Sequence, residues 1–265
     1  MINSYHGIIK KLHSSLNREV KYSLPIGSDL VELNPLINQK IKFSFSGEIF
    51  CIKCNNQIKK TFAQGYCFPC FRDAPETSEC ILRPELCRAH KGESRDMDWS
   101  KKYCLTDQHV YMSFTGNLKI GVTRNTQIPT RWIDQGATKA IILCTTPNRY
   151  LAGLIEVYLK QFYSDRTHWI KMLSGKFDKP DFDQCYLDAK KHLDENFSKY
   201  IIDSKWIDIN YPIESIPNKI KSLSFDKESI YEDVLTGIKG QYLLFKNNRV
   251  LNMRKHTGYS ISVDY

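Results

Sequence analysis

Nine cysteines stand in a chain of 265 residues. Four of them come as two pairs, Cys51-Ile-Lys-Cys54 and Cys67-Phe-Pro-Cys70, with 12 residues between the pairs. No other feature restricts the fold as much. A Cys-x2-Cys turn lets two thiolates converge on one ion, and two such turns make a closed tetrahedral zinc site. The ion pins four points of the backbone and holds a segment with little apolar sequence of its own. The spacing is that of a zinc ribbon, and a full set of four protein ligands gives the ion a structural role. The competing reading is of unrelated buried or redox cysteines.

A second set follows: Cys80, Cys87, His90 and Cys104, with His109 as a spare candidate. Cys87-Arg-Ala-His90 has the spacing of a metal turn, so a second structural zinc is expected here. Against it, Cys80 and Cys104 could be small buried residues. Cys144 lies in the apolar run Ala140–Cys144 and reads as core, and Cys185 lies on a predicted helix. Neither receives a role. Metal is preferred to disulfides because a cytoplasmic location is expected. The N-terminal Met-Ile-Asn-Ser-Tyr-His-Gly has no signal-peptide pattern. No apolar run approaches the roughly 18 residues of a membrane span.

The formal net charge is +9 and the isoelectric point about 9.0. Such a balance favours anionic partners, DNA or RNA first, over a merely basic surface. No membrane partner is expected, and no protein partner can be inferred.

Five segments are expected. Residues 1–50 read as strands: Lys40–Ser46 alternates, with Ile41, Phe43 and Phe45 on one face. Leu24–Gly27 and Asn34-Pro35 mark turns. Residues 51–108 hold the metal ligands, and residues 109–175 form a small α/β core. In that core Val110–Phe114 and Leu118–Val122 make a hairpin. A short helix starts near Pro129 and ends near Gly136, and Ala140–Thr145 is a third strand. A longer helix opens at Thr146-Pro147, with Leu151, Leu154, Ile155, Tyr158, Leu159 and Phe162 at helical spacing. Residues 176–204 are a helical connector, its apolar stripe running from Phe182 through Tyr186, Ala189 and Leu193 to Phe197. Residues 205–265 return to strands, including a hairpin around Lys246–Arg249. The fold class is α+β, with the terminal strand segments sharing a β-barrel or sandwich and the middle inserted.

Cleaving a phosphodiester needs an activated water, a cation for the phosphate and a carboxylate for a metal. The central core offers Tyr111 to place or activate water, with Lys119 on the partner strand. Alternation puts Ser113 on the Tyr111 face, but the register across the hairpin is open in the sequence. Arg131 can fork onto a phosphate oxygen. Glu156 can hold one Mg²⁺ or Mn²⁺, and Gly153, a turn earlier, leaves room for a ligand. Arg149, Gly153, Glu156 and Lys160 share the polar side of the long helix. Taken singly, each residue has a structural alternative: Glu156 pairing with Lys160, Tyr111 in the core, Arg131 capping a helix. Arg124, Arg149, Lys160, Arg249, Arg254 and Lys255 are candidates for gripping nucleic-acid phosphates.

The order Val110-Tyr111, Lys119-Ile-Gly121, Arg131, Glu156 resembles the GIY-YIG nuclease superfamily. That resemblance implies a metal-dependent endonuclease with Glu156 as metal ligand. Lys119 stands where the second signature usually carries tyrosine. Many relatives carry an asparagine beyond the metal helix, and His168 is the stand-in here. The interval from arginine to glutamate is short for such a nuclease. Nearly the whole chain also resembles a bacterial domain family of unknown function. Its marks are Ala63-Gln-Gly-Tyr-Cys67, Pro84-Glu-Leu-Cys87, Val122-Thr-Arg124, Thr130-Arg-Trp-Ile-Asp-Gln-Gly-Ala137, Asp165-Arg-Thr-His-Trp169 and Gly237-Ile-Lys-Gly-Gln-Tyr242. The alternatives to a nuclease are a non-catalytic DNA- or RNA-binding protein and a protein-binding scaffold.

Overall fold

A computed structural model describes residues 3–175 and 177–265. The chain folds as two units, Met1–Arg72 with Asn210–Tyr265, and the continuous stretch Asp73–Ile209. The first unit begins with strands β1 (Ser4–Ile8), β2 (His13–Ser15), β3 (Lys21–Ile26), β4 (Asp29–Glu32), β5 (Lys40–Phe50) and β6 (Gln57–Ile58), then helix α1 (Phe68–Asp73). The second unit carries α2 (Met97–Tyr103), β7 (Gln108–Phe114), β8 (Leu118–Arg124), α3 (Thr130–Asp134), β9 (Lys139–Thr146) and α4 (Arg149–Leu159). It continues through α5 (Trp169–Ser174), α6 (Phe182–His192), α7 (Glu195–Ser198) and β10 (Ile207–Asp208). The chain then returns to the first unit with β11 (Lys221–Leu223), β12 (Ile230–Lys239), β13 (Tyr242–Phe245), β14 (Arg249–Asn252) and β15 (Tyr259–Asp264).

In the first unit the N- and C-terminal segments do share one sheet, in the order β1-β15-β5-β12-β13-β14-β11, with β6 beside β5. The alternation in β5 explains its central place. Ile41 and Phe43 are buried on one face, while their backbone pairs with β12 on one side and β15 on the other. The sheet is open, β1 and β11 forming its ends, so the expected barrel is not closed among the described residues. A separate sheet, β2-β3-β4, completes the unit. Leu24–Ile26 belongs to β3, and the expected turn comes at Gly27, whose φ of 56° suits a residue without a Cβ.

The second unit is built on an antiparallel sheet, β10-β9-β7-β8. Val110 and Met112 of β7 and Ile120 of β8 point to one face. There they meet Ile141 and Leu143 of β9, Ala152, Ile155 and Leu159 of α4 and Ala189 of α6. Cys144 is buried in the same core and Cys185 packs at its border. Asn148 caps α4 by accepting from the Leu151 amide at 3.0 Å, so the helix starts after Pro147 rather than on it. Asp181 caps α6 in the same way. Among the described residues no helix is long and apolar enough to cross a membrane.

Candidate functional site

The first cysteine pair lies in the turn between β5 and β6, where Asn55 adopts a left-handed φ of 60° and donates to the Cys51 carbonyl at 2.8 Å. The second opens a helix, Cys67 preceding α1 and Cys70 lying within it. The segment is therefore a strand turn plus a helix start, where a ribbon would have two strand turns. The four sulfurs lie within 4.8 Å of one another, a set that could hold zinc. The Cys70 amide donates to the Cys67 sulfur at 3.4 Å. Burial pushes the Cys51 thiol up, but backbone N–H groups of Cys54, Cys67 and Lys53 outweigh it and bring the thiol down to about 6.

In the second unit Cys80, Cys87 and Cys104 also converge within 4.8 Å and could hold an ion. His90 is outside this cluster: its ring stacks on Tyr150, centroids 4.3 Å apart. His109 is elsewhere, buried in β7 with Nδ1 3.0 Å from the Thr145 hydroxyl. The cluster is tied to α4 from two directions. The Arg149 amide donates to the Cys104 carbonyl at 2.8 Å and its guanidinium to the Tyr103 carbonyl at 3.2 Å. The 3-10 turn Pro84–Leu86, between Cys80 and Cys87, lies against Gly153 so closely that an added Cβ would come within 2.1 Å of the Glu85 nitrogen. Gly153 therefore makes room for backbone, where the sequence suggested room for a ligand.

The sheet register brings the other candidates together. Tyr111 pairs with Gly121 and Ser113 with Lys119, so Tyr111, Ser113, Lys119 and Gly121 share one face. Gly121 is required there, since an added Cβ would fall 2.5 Å from the Tyr111 hydroxyl. α3 lies on that face, with Trp132 edge-on to Tyr111 at 6.1 Å. Tyr111, Lys119, Arg131 and Glu156 line one cavity of about 120 Å³, with Gln135, Lys160 and Asp165 beside them and Leu82 at its wall.

The electrostatics differ from residue to residue. Tyr111 is fully buried and donates to Gln135 Oε1 at 2.9 Å. Burial raises its pKa, partly offset by Arg131 and Gln135, so the phenol stays protonated and is a poor proton acceptor. Burial, then repulsion from Arg131, brings the Lys119 ammonium down to about 8. Burial raises Glu156; Lys160 opposes this, and Asp165 and Glu85 add to it. Glu156 Oε2 is buried without a hydrogen-bond partner, Lys160 Nζ standing 3.7 Å away. Lys160 also pairs with Asp165 at 3.3 Å.

His168 does not line the cavity; the neighbouring Thr167 takes the place next to the site, its hydroxyl 3.5 Å from Lys119 Nζ. Several candidate phosphate ligands are already engaged. Arg124 stacks on Tyr103 at 4.4 Å, and Arg149 is buried as described. Arg249 clamps the buried Asp233 at 2.8 and 3.0 Å, and Arg254 donates to Gln64. Lys255 is exposed within the 3-10 turn Met253–His256 before β15. Gln135 and Asp165 were not read from the sequence as site residues. Gln135 had a signal, four residues after Arg131 and so on the same helix side; Asp165 lies in a loop and had none.

A family profile described as Protein of unknown function (DUF2797) matches residues 38–261. No curated protein and no solved structure matches the chain.

Proposed function

The chain belongs to the family described as Protein of unknown function (DUF2797), which brings no activity with it, and from the cavity itself we propose a metal-dependent phosphodiester hydrolase acting on DNA or RNA. The observation that carries this reading is the single cavity lined by Tyr111, Lys119, Arg131 and Glu156. A base poised near neutrality, a guanidinium and a buried carboxylate are the parts that phosphodiester hydrolysis needs. The GIY-YIG-like order of these residues supports the same reading.

Lys119, at about 8, has the neutral fraction a base needs and takes the proton from the attacking water. Tyr111 holds that water by its hydroxyl rather than deprotonating it. Arg131 binds the non-bridging oxygens. Glu156 fits a Mg²⁺ or Mn²⁺ ion because Oε2 is buried without a hydrogen bond. When bound, such an ion supplies Lewis-acid stabilisation of the phosphate and leaving oxygen. The two cysteine clusters hold structural zinc, the second through Cys80, Cys87 and Cys104.

The test is cleavage of plasmid, single-stranded DNA and RNA with Mg²⁺ or Mn²⁺. Cutting is expected in the wild type and lost in Glu156→Ala. Metal-dependent cutting that survives Glu156→Ala would sink the assignment. The net charge of +9 favours a second reading, binding without cleavage. Affinity falling steeply with salt and no cutting would establish it.

A further inference from the structure

Glu85 has no part in the proposed hydrolysis, yet its turn packs on the helix that carries the cavity's carboxylate. It belongs to the 3-10 turn Pro84–Leu86 inside the second cysteine cluster, and that turn presses its backbone onto α4 at Gly153. Gly153 lies one helical turn before Glu156, on the same side of α4. The charge of Glu85 adds to the rise of the Glu156 pKa, after burial and Asp165. Glu85 Oε1 has Arg83 at 3.3 Å, but Oε2 is buried with no hydrogen-bond partner, and so is Glu156 Oε2. Glu156 as a whole is 7% exposed.

Two buried carboxylate oxygens without donors are costly unless a cation or proton compensates them. The cationic neighbours do not fill that role: Lys160 stands beyond hydrogen-bond reach of Glu156 and is shared with Asp165. Lys119 is directed to Thr167. Hard divalent cations take oxygen donors and neutralise the charge of two carboxylates together. We infer that Glu85 and Glu156 jointly bind one divalent cation, so that the second cysteine cluster delivers a ligand to the cavity. This rests on the cation-dependent reading of the cavity but adds a ligand to it.

The experiment is calorimetric titration of Mn²⁺ into the zinc-loaded full chain, with Mn²⁺ paramagnetic resonance to count bound ions. Wild type is expected to bind one ion. Glu85→Gln and Glu156→Gln are each expected to weaken it by at least the roughly tenfold that loss of even an outer partner costs. Glu79→Gln, exposed on the same segment and paired with Arg83 at 3.2 Å, should bind as wild type does. Wild-type affinity in Glu85→Gln, with binding lost in Glu156→Gln, overturns the role of Glu85 and leaves the cavity reading standing. No ion bound by wild type overturns both. Zinc content and circular dichroism report whether Glu85→Gln is folded; if it is not, Glu85→Asp decides, an undiminished affinity overturning the proposal.

Discussion

A lysine ammonium enclosed beside a guanidinium is an expense to the fold and a resource for chemistry. Lys119 is 4% exposed and its pKa is brought down to about 8, against 10.5 in an open chain. Below pH 8 both states carry the proton and the burial penalty is fully present. As pH rises from about 8 to 10.5 the unfolded chain holds the proton longer, so stability increases through that window. Lys119→Met should therefore raise stability at pH 7 by roughly 2–3 kcal/mol in urea denaturation while abolishing cleavage. A loss of stability would contradict the burial argument. His256 gives the same sign in a lower pH window. It is fully buried, accepts from the Phe225 amide at 3.3 Å, and burial lowers its pKa from 6.5. Its contribution is present above pH 6.5 and lost as the pH falls below that value, because only the unfolded chain then readily takes the proton. Denaturation midpoints of wild type and His256→Gln should converge between pH 7 and 5.

At the scale of the element, α4 shows what the sequence could and could not reveal. Its apolar spacing was legible because period 3.6 marks the side that meets the sheet. Its polar side read as open to a ligand, yet Arg149, Gly153 and Glu156 are buried. The cover over Gly153 is a 3-10 turn more than sixty positions earlier in the sequence, and no local period reports such a partner. The hairpin was legible for the same local reason, whereas its register, which sets Lys119 on the face of Tyr111, was not. Two consequences can be measured. Gly153→Ala places a Cβ on backbone that cannot yield, so it should cost about 1–3 kcal/mol and weaken Mn²⁺ binding although it removes no ligand. Cys87→Ser should reduce the zinc content by one ion and weaken Mn²⁺ binding as well, since the turn that carries Glu85 ends at that cysteine. Intact Mn²⁺ binding in a zinc-deficient Cys87→Ser protein would separate the two sites.

For the whole molecule, the path of the chain matters more than the number of its strands. The cavity and the second cysteine cluster lie in one continuous stretch, Asp73–Ile209, whereas the first unit is assembled from both ends of the sequence. That assembly was legible in outline, because strand patterning stopped at the cysteines and resumed after the helices. Closure into a barrel was a matter of strand order, which patterning does not encode. The two arrangements predict different behaviour when the chain is cut. A fragment of residues 73–209 keeps its sheet, its core and one cysteine cluster, so it should fold, melt cooperatively and bind one zinc. A fragment of residues 1–72 keeps all four cysteines of the first cluster but loses β12 and β15, the strands on either side of β5. With Ile41 and Phe43 exposed and the edges of β5 unpaired, it should remain unfolded or aggregate even with zinc added. Adding residues 210–265 as a separate peptide should restore its strand signal by circular dichroism. A residues 1–72 fragment that folds alone on zinc would show that the metal, rather than the shared sheet, organises that unit.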